Sequence, residues 1–109
     1  MFRIRRICKP KTRPDTWKIA GILKKVCAEY EQKGRSPATI SITGFGTPGS
    51  EIIVCAEWDQ ESIETNPRKD VPEIITNKYS KELASLVQSN EIEFYEIATA
   101  EKLNQWGVM

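Results

Sequence analysis

The sequence contains no histidine. That removes the side chain whose unperturbed pKa places a proton donor and acceptor near neutral pH, and with it the commonest metal ligand. Cysteine is scarce, and Cys8, Cys27 and Cys55 form an odd set without CxxC spacing, which argues against a disulfide framework or a zinc site. No metal and no cofactor are expected. Charge of one sign is lacking too: 16 basic and 15 acidic residues leave a net +1, too little to steer the chain toward nucleic acid or a membrane. No apolar run approaches the ~20 residues needed to span a bilayer. Met1-Phe2-Arg3-Ile4-Arg5-Arg6 alternates instead of building the apolar region of a signal peptide. Together these absences predict a cytoplasmic protein with no nucleic-acid and no membrane partner.

What is present is periodic. At 109 residues the chain is long enough for one core and not for two. Residues 2–9 alternate as a strand, closed by Pro10 and Pro14. Asp15 is placed to cap a helix whose stripe is Ile19, Ile22, Leu23, Val26, Cys27 and Tyr30, with Gly34 as its C′ stop. Residues 38–43 and 51–58 read as two strands around a glycine-rich hairpin. Residues 59–64 could form one helical turn before Asn66-Pro67 breaks it. A capping-box-like Asp70 and Glu73 opens a second helix with Ile75, Tyr79, Leu83, Leu86 and Val87 as its stripe, and residues 91–98 alternate as a fourth strand.

This β-α-β-β-α-β order specifies an α+β, ferredoxin-like domain over residues 1–98, with a four-stranded antiparallel sheet and two helices on one face. Residues 99–109 form a tail whose Leu103, Trp106, Val108 and Met109 are costly to leave in water, so it is expected to dock on the domain or on a partner subunit. Alternation then sorts the sheet residues. Phe2, Ile4, Ile40, Ile42, Ile52, Val54, Ala56, Trp58, Ile92 and Phe94 form the face expected against the helices. The opposite face mixes Arg3, Arg5, Glu57, Glu91 and Glu93 with Ile7, Ile53, Cys55, Tyr95 and Ile97. A face that is half apolar calls for a cover. In the strand order 4-1-3-2, Arg3 and Arg5 are expected to lie between Glu57 on one side and Glu91 and Glu93 on the other.

Several motifs carry a chemical reading beside a structural one. Residues 44–49 match G-x-G-x-x-G, but a β-branched strand follows where a dinucleotide site needs a helix. A hairpin loop with positive-φ glycines is favoured, with a flap over a ligand as the alternative. Cysteine catalysis needs a nearby base and a stabilised thiolate. Without histidine only Arg3 or Arg5 beside Cys55 could supply the second, and the plain reading of all three cysteines is small apolar filler. Glu57, Glu91 and Glu93, with Tyr95, could act as acid, base or orienting groups inside a covered cavity, or simply pair with the arginines. RNA-recognition modules share the topology, but residues 51–58 hold no RNP1-like aromatic run and place two acids where bases would stack.

Met1-Phe2-Arg3-Ile4-Arg5-Arg6, the long first helix, the glycine-containing hairpin and the run Val54-Cys55-Ala56-Glu57-Trp58-Asp59-Gln60-Glu61-Ser62-Ile63 resemble the dimeric α+β-barrel superfamily. Within it the chain is most similar to NIPSNAP-like and antibiotic-biosynthesis-monooxygenase-like small proteins, over almost its whole length. The resemblance implies a homodimer in which two four-stranded sheets close around a shared interior lined by the face away from the helices. Members include cofactor-independent oxygenases, haem-degrading enzymes, haem-dependent decolorases, isomerases and proteins with no known activity. Haem-binding members rely on a histidine, so an axial histidine is excluded here, and no family catalytic residue transfers position by position.

The resulting expectation is a dimer through the sheet face that encloses a small, partly apolar organic ligand. Arg5, Ser41, Cys55 and Tyr95 would bind it, Glu57 or Glu93 would move protons, and Arg5 would hold an anionic group. The alternative is an interaction or structural protein whose sheet face is only a homodimer interface.

Overall fold

A computed structural model of the chain describes residues 1–30, 34–63 and 73–108. The strands are β1 (Phe2–Pro10), β2 (Thr39–Thr43), β3 (Ile53–Gln60) and β4 (Val87–Glu96); the helices are α1 (Thr16–Glu29), α2 (Ser80–Leu86) and α3 (Ala100–Gln105). The strands form one sheet in the order β2-β3-β1-β4 with every neighbouring pair antiparallel. This α+β arrangement has the strand order that the ferredoxin-like reading requires. No helix formed by the described residues is long and apolar enough to cross a membrane.

The α1 stripe packs as its spacing dictates. Ile19, Ile22, Leu23 and Cys27 are buried, and Ile19, Leu23, Cys8, Val54, Leu83 and Val87 share one core cluster. Ile4, Cys27, Ala56 and Trp58 make a second cluster beneath the other end of α1. Each buried Ile or Leu contributes about 1.5–3 kcal/mol, so these side chains fix α1 across β3 and β2, with Ile4 and Cys8 of β1 at the edge of the contact. Two polar residues lie wholly inside among those described: Thr16 Oγ1 donates to the Arg13 carbonyl at 2.7 Å, and Gln60 accepts from the Trp58 indole Nε1 at 2.6 Å and donates to the Ser62 carbonyl at 3.0 Å.

Several local expectations need correction. Asp15 precedes α1 but makes no cap hydrogen bond; its carboxylate accepts from Thr12 Oγ1 at 2.8 Å, and a tight turn over Arg13–Asp15 leads into the helix. The helix ends at Glu29 with Tyr30 as its cap, so Gly34 (φ 84°) serves the connection to β2. Strand β3 runs on through Gln60, because Asp59 and Gln60 pair with Arg3 and Phe2; no helical turn begins at 59. The proposed break at Asn66-Pro67 and cap at Asp70 lie outside the described residues. In the second helical stretch Glu73 and Ile74 are already helical, a π turn follows over Ile75–Tyr79, and Val87 already belongs to β4. That strand starts four residues earlier than the alternation suggested, since Ser89 and Asn90 pair with Lys9 and Cys8 beside an irregularity at Pro10.

The two faces sort as the alternation predicts, with one exception. Ile92 and Phe94 lie in register with Arg6 and Ile4 on the helix side, yet Phe94 is 52% exposed and Ile92 38%. Among the described residues α1 packs chiefly over β3 and β2, and α2 lies near Cys8 and Val87, so the far half of β4 is left uncovered by either.

Candidate functional site

Register places all six predicted site residues on the helix-free face. Arg5 on the central strand β1 pairs with Glu57 of β3 on one side and Glu93 of β4 on the other. The next row runs Ser41, Cys55, Ile7, Glu91, and Thr39 lies beside Glu57. Strands sit about 4.8 Å apart, so Glu57 and Glu93 stand about 10 Å from each other with Arg5 between them. Ser41 is three strands from β4 and shares no immediate contact with Glu93.

Arg5 and Glu57 are joined directly. The Nε and a terminal nitrogen of Arg5 both donate to Glu57 Oε1, at 2.8 and 2.5 Å, a geometry that raises the Arg5 pKa through the hydrogen bond to Glu57 against partial burial. Arg3 departs from expectation. It faces Asp59, not a glutamate, and donates to its two oxygens at 3.0 and 3.5 Å, while Tyr95 lies opposite on β4. Glu91 faces Ile7 and no arginine. Asp59 was missed because β3 was ended at Trp58. The alternation Glu57-Trp58-Asp59-Gln60, acid out and core residue in, was the available signal.

On the β4 side the Tyr95 hydroxyl donates to Glu93 Oε1 at 2.5 Å, which pushes the phenol pKa up. Tyr95 is therefore a proton-bearing donor at neutral pH and not a base. The Arg5 guanidinium carbon lies 5.7 Å from the Tyr95 ring centroid, within cation–π range, so Arg5 links the two hydrogen-bonded pairs.

The thiol of Cys55 is half-buried between Ser41 and Ile7. Burial raises its pKa, and the lowering effect of Arg5 only partly offsets that. It is a neutral thiol at pH 7, able to pack or to donate weakly, and not an activated nucleophile. Burial pushes the Cys8 thiol further, to about 11.

The face thus offers a cationic centre with its charge met by Glu57, a phenol–carboxylate pair, and apolar ground at Ile7, Ile53 and Cys55. In one copy it is an open surface, with a shallow depression of about 300 Å³ beside Arg3, Thr39, Glu57 and Asp59. A larger groove of about 780 Å³ lies on the opposite, helix side between α1 and β2. There the glycine-rich loop packs onto α1: the Phe45 and Trp17 rings meet edge-to-face at 6.5 Å, and Arg13 stacks on Phe45 at 4.2 Å. No protein-family model matches this chain, and no curated protein matches it.

Proposed function

We propose that the protein is a homodimer whose two open sheet faces close on each other as a dimeric α+β barrel and enclose a small, partly apolar organic ligand. One observation carries this reading: Ile7 and Cys55 lie side by side on the central strands of a face that no described element covers, Ile53 opens β3 on the same face, and the Arg5–Glu57 and Tyr95–Glu93 pairs follow further along these strands. Apolar side chains there favour a cover, and a partner that buries the pairs makes their mutual satisfaction necessary, since an unpaired buried charge is expensive.

In this reading Arg5 and Tyr95 bind and orient the ligand. The side of the Arg5 guanidinium not engaged by Glu57 meets an anionic or carbonyl oxygen, and Tyr95 donates where Glu93 yields its hydrogen bond. Ser41 and Cys55 line the apolar wall. Glu57 or Glu93 accepts a proton from the ligand, as a cofactor-independent oxygenase or isomerase requires. Binding without turnover needs the same residues and no proton transfer. The fold and the cytoplasmic setting suggested by the sequence belong to this same reading.

Two measurements test it. Sedimentation at micromolar concentration should give twice the 12.4 kDa chain mass, and Ile53→Lys should return the monomer. A thermal-shift screen with small aromatic carboxylic acids should raise the melting temperature of the native protein and not of Arg5→Met. A monomer throughout refutes the closed barrel. A stable dimer that binds none of these acids supports the plain interface instead, and Glu57→Gln with unchanged affinity and turnover removes Glu57 from proton transfer.

A further inference from the structure

Strand β1 carries three arginines, and one of them lacks the partner that the other two have. Arg3 meets Asp59 and Arg5 meets Glu57, both on the helix-free face. Arg6 stands across from Ala56 of β3 and Ile92 of β4, so its side chain leaves the sheet on the helix side. Its β1 neighbours on that side, Ile4 and Cys8, are fully buried, and Arg6 itself is half-buried. Its Nη1 donates to Asn90 Oδ1 at 2.7 Å, and no other acceptor among the described residues meets this guanidinium. A neutral amide thus stands where Arg3 and Arg5 have a carboxylate.

Arg6 and Asn90 line a cavity of about 310 Å³ between the sheet and the helices α1 and α2. Leu23, Trp58, Ile75 and Leu83 form its buried walls. Ile92, 38% exposed, opens it toward the half of β4 that neither helix covers. A second guanidinium belongs to the lining. Arg35 stacks on the Trp58 ring, 4.2 Å from its centroid, and donates to the Tyr30 carbonyl at 3.2 Å. Among the described residues no carboxylate lines the cavity. Glu96 shares this side of the sheet, but it is paired with Lys102 at 3.3 Å and lies four residues beyond Ile92, about 13 Å along the strand.

An apolar cavity is a costly place for a cation without a counter-charge. The same surroundings strengthen its attraction for an anion, because little water competes for it. A guanidinium offers parallel N–H donors that match a carboxylate, and the bond to Asn90 holds that fork in place. Asn90 has its Oδ1 engaged and its Nδ2 left to donate to the same anion. Volume sets the size of the occupant. Small-molecule sites run from about 300 to 1,000 Å³, so this cavity admits a short chain or a single ring. Trp58 lies two residues from Ala56 on the same side of β3, about 7 Å along the strand. A short aliphatic chain anchored at Arg6 reaches its ring.

We infer that this cavity binds a small organic carboxylate, with the anionic head on Arg6 and Asn90 and the apolar tail along Trp58 and Leu83. The site is built by one chain, on the side of the sheet opposite the proposed dimer face, so it does not rest on that pairing.

The test uses Trp58 as its reporter. Trp17 and Trp106 are 66% and 77% exposed, so Trp17→Phe with Trp106→Phe does not threaten the fold and leaves Trp58 as the sole indole. In that background 6-bromohexanoate should quench Trp58 emission saturably through its bromine. The neutral 6-bromohexanamide should need at least about ten times the concentration, a loss of ~1.4 kcal/mol. Asn90→Asp gives Arg6 an internal carboxylate, so it should weaken the bromo acid by the same factor while the melting temperature holds or rises. Arg6→Met should weaken it as well. Ile53→Lys should leave the affinity unchanged, because the site needs no second copy. Absence of saturable quenching up to about 10 mM, equal quenching by the amide, or an affinity unchanged in Asn90→Asp overturns the inference. Quenching kept in Asn90→Asp and lost in Ile53→Lys puts the probe inside the dimer, which overturns it and leaves the sheet-face reading standing. A chain that stays monomeric and binds as expected refutes the closed barrel and leaves the Arg6 site standing.

Discussion

Arg5 donates twice to one oxygen of Glu57, and the other oxygen of that carboxylate accepts no hydrogen bond from any described residue. The energy of this pair depends on what lies above it. On an open face a cross-strand ion pair is worth about 0.2–1 kcal/mol, whereas removing one partner of a buried pair costs about 3–5 kcal/mol. A double-mutant cycle of Arg5→Met and Glu57→Gln, read by urea unfolding, should therefore give a coupling below about 1 kcal/mol at concentrations where the chain is monomeric. At concentrations where it has associated, the coupling should be several-fold larger. Equal coupling across the range means that nothing covers the face.

Gln60 supplies a prediction that owes nothing to assembly. Its side chain is fully buried and satisfies both the Trp58 indole and the Ser62 carbonyl. Gln60→Leu has nearly the same volume but strands the buried indole N–H of Trp58. An unsatisfied buried group costs about 1–3 kcal/mol, so unfolding free energy should drop by at least that amount. Trp58 emission should shift as its hydrogen bond is lost. A neutral substitution would mean that water reaches the indole N–H and replaces the amide.

Much of the sheet was legible because strand side chains have a period of two. Once Ile4, Val54 and Ala56 are assigned inward, Arg5, Cys55 and Glu57 must share the other face. Ends were less legible. The start of β4 was hidden because Gln88-Ser89-Asn90 carries no β-branched signal, and its extended form comes from pairing with Lys9 and Cys8, a contact remote in sequence. Asp59 was lost through the same kind of error at the end of β3. Phe94 shows a different limit: alternation gives its face, but whether a helix lies over that point depends on tertiary packing. The α1–β2 groove was invisible for a related reason, since Trp17 and Phe45 are 28 positions apart in the chain and meet only through the fold.

The glycines of the hairpin separate into structural and replaceable positions. A Cβ on Gly44, at φ 79°, would stand 2.0 Å from the Glu51 carbonyl oxygen, whereas one on Gly46 would meet nothing within 4 Å. Gly44→Ala must shift backbone and adopt a left-handed conformation that L residues avoid, at a cost above about 1 kcal/mol. Gly46→Ala should change stability by less than about 0.5 kcal/mol. Comparing the two by thermal unfolding checks whether the loop that holds Phe45 against Trp17 is set by Gly44 alone. Equal effects would show that the loop tolerates another path.

Cys8 gives the chain a defined alkaline weakness. Its thiol is buried on the helix side of β1, and burial lifts its pKa from 9.0 to about 11. Between those values the unfolded chain releases this proton and the folded chain keeps it, so the unfolded state binds fewer protons and stability falls as pH rises. The contribution is intact below pH 9 and is lost as pH climbs through about 11. One proton sets a slope of at most about 1.4 kcal/mol per pH unit. Cys55 titrates with the same sign, so the informative quantity is the difference between wild type and Cys8→Ala. The variant should be less stable at pH 7, from the core volume it loses, but its unfolding free energy should decline less steeply between pH 9 and 11. Parallel curves for the two proteins would show that Cys8 ionises as readily in the folded state as in the unfolded chain, and that its site at the centre of the sheet admits solvent.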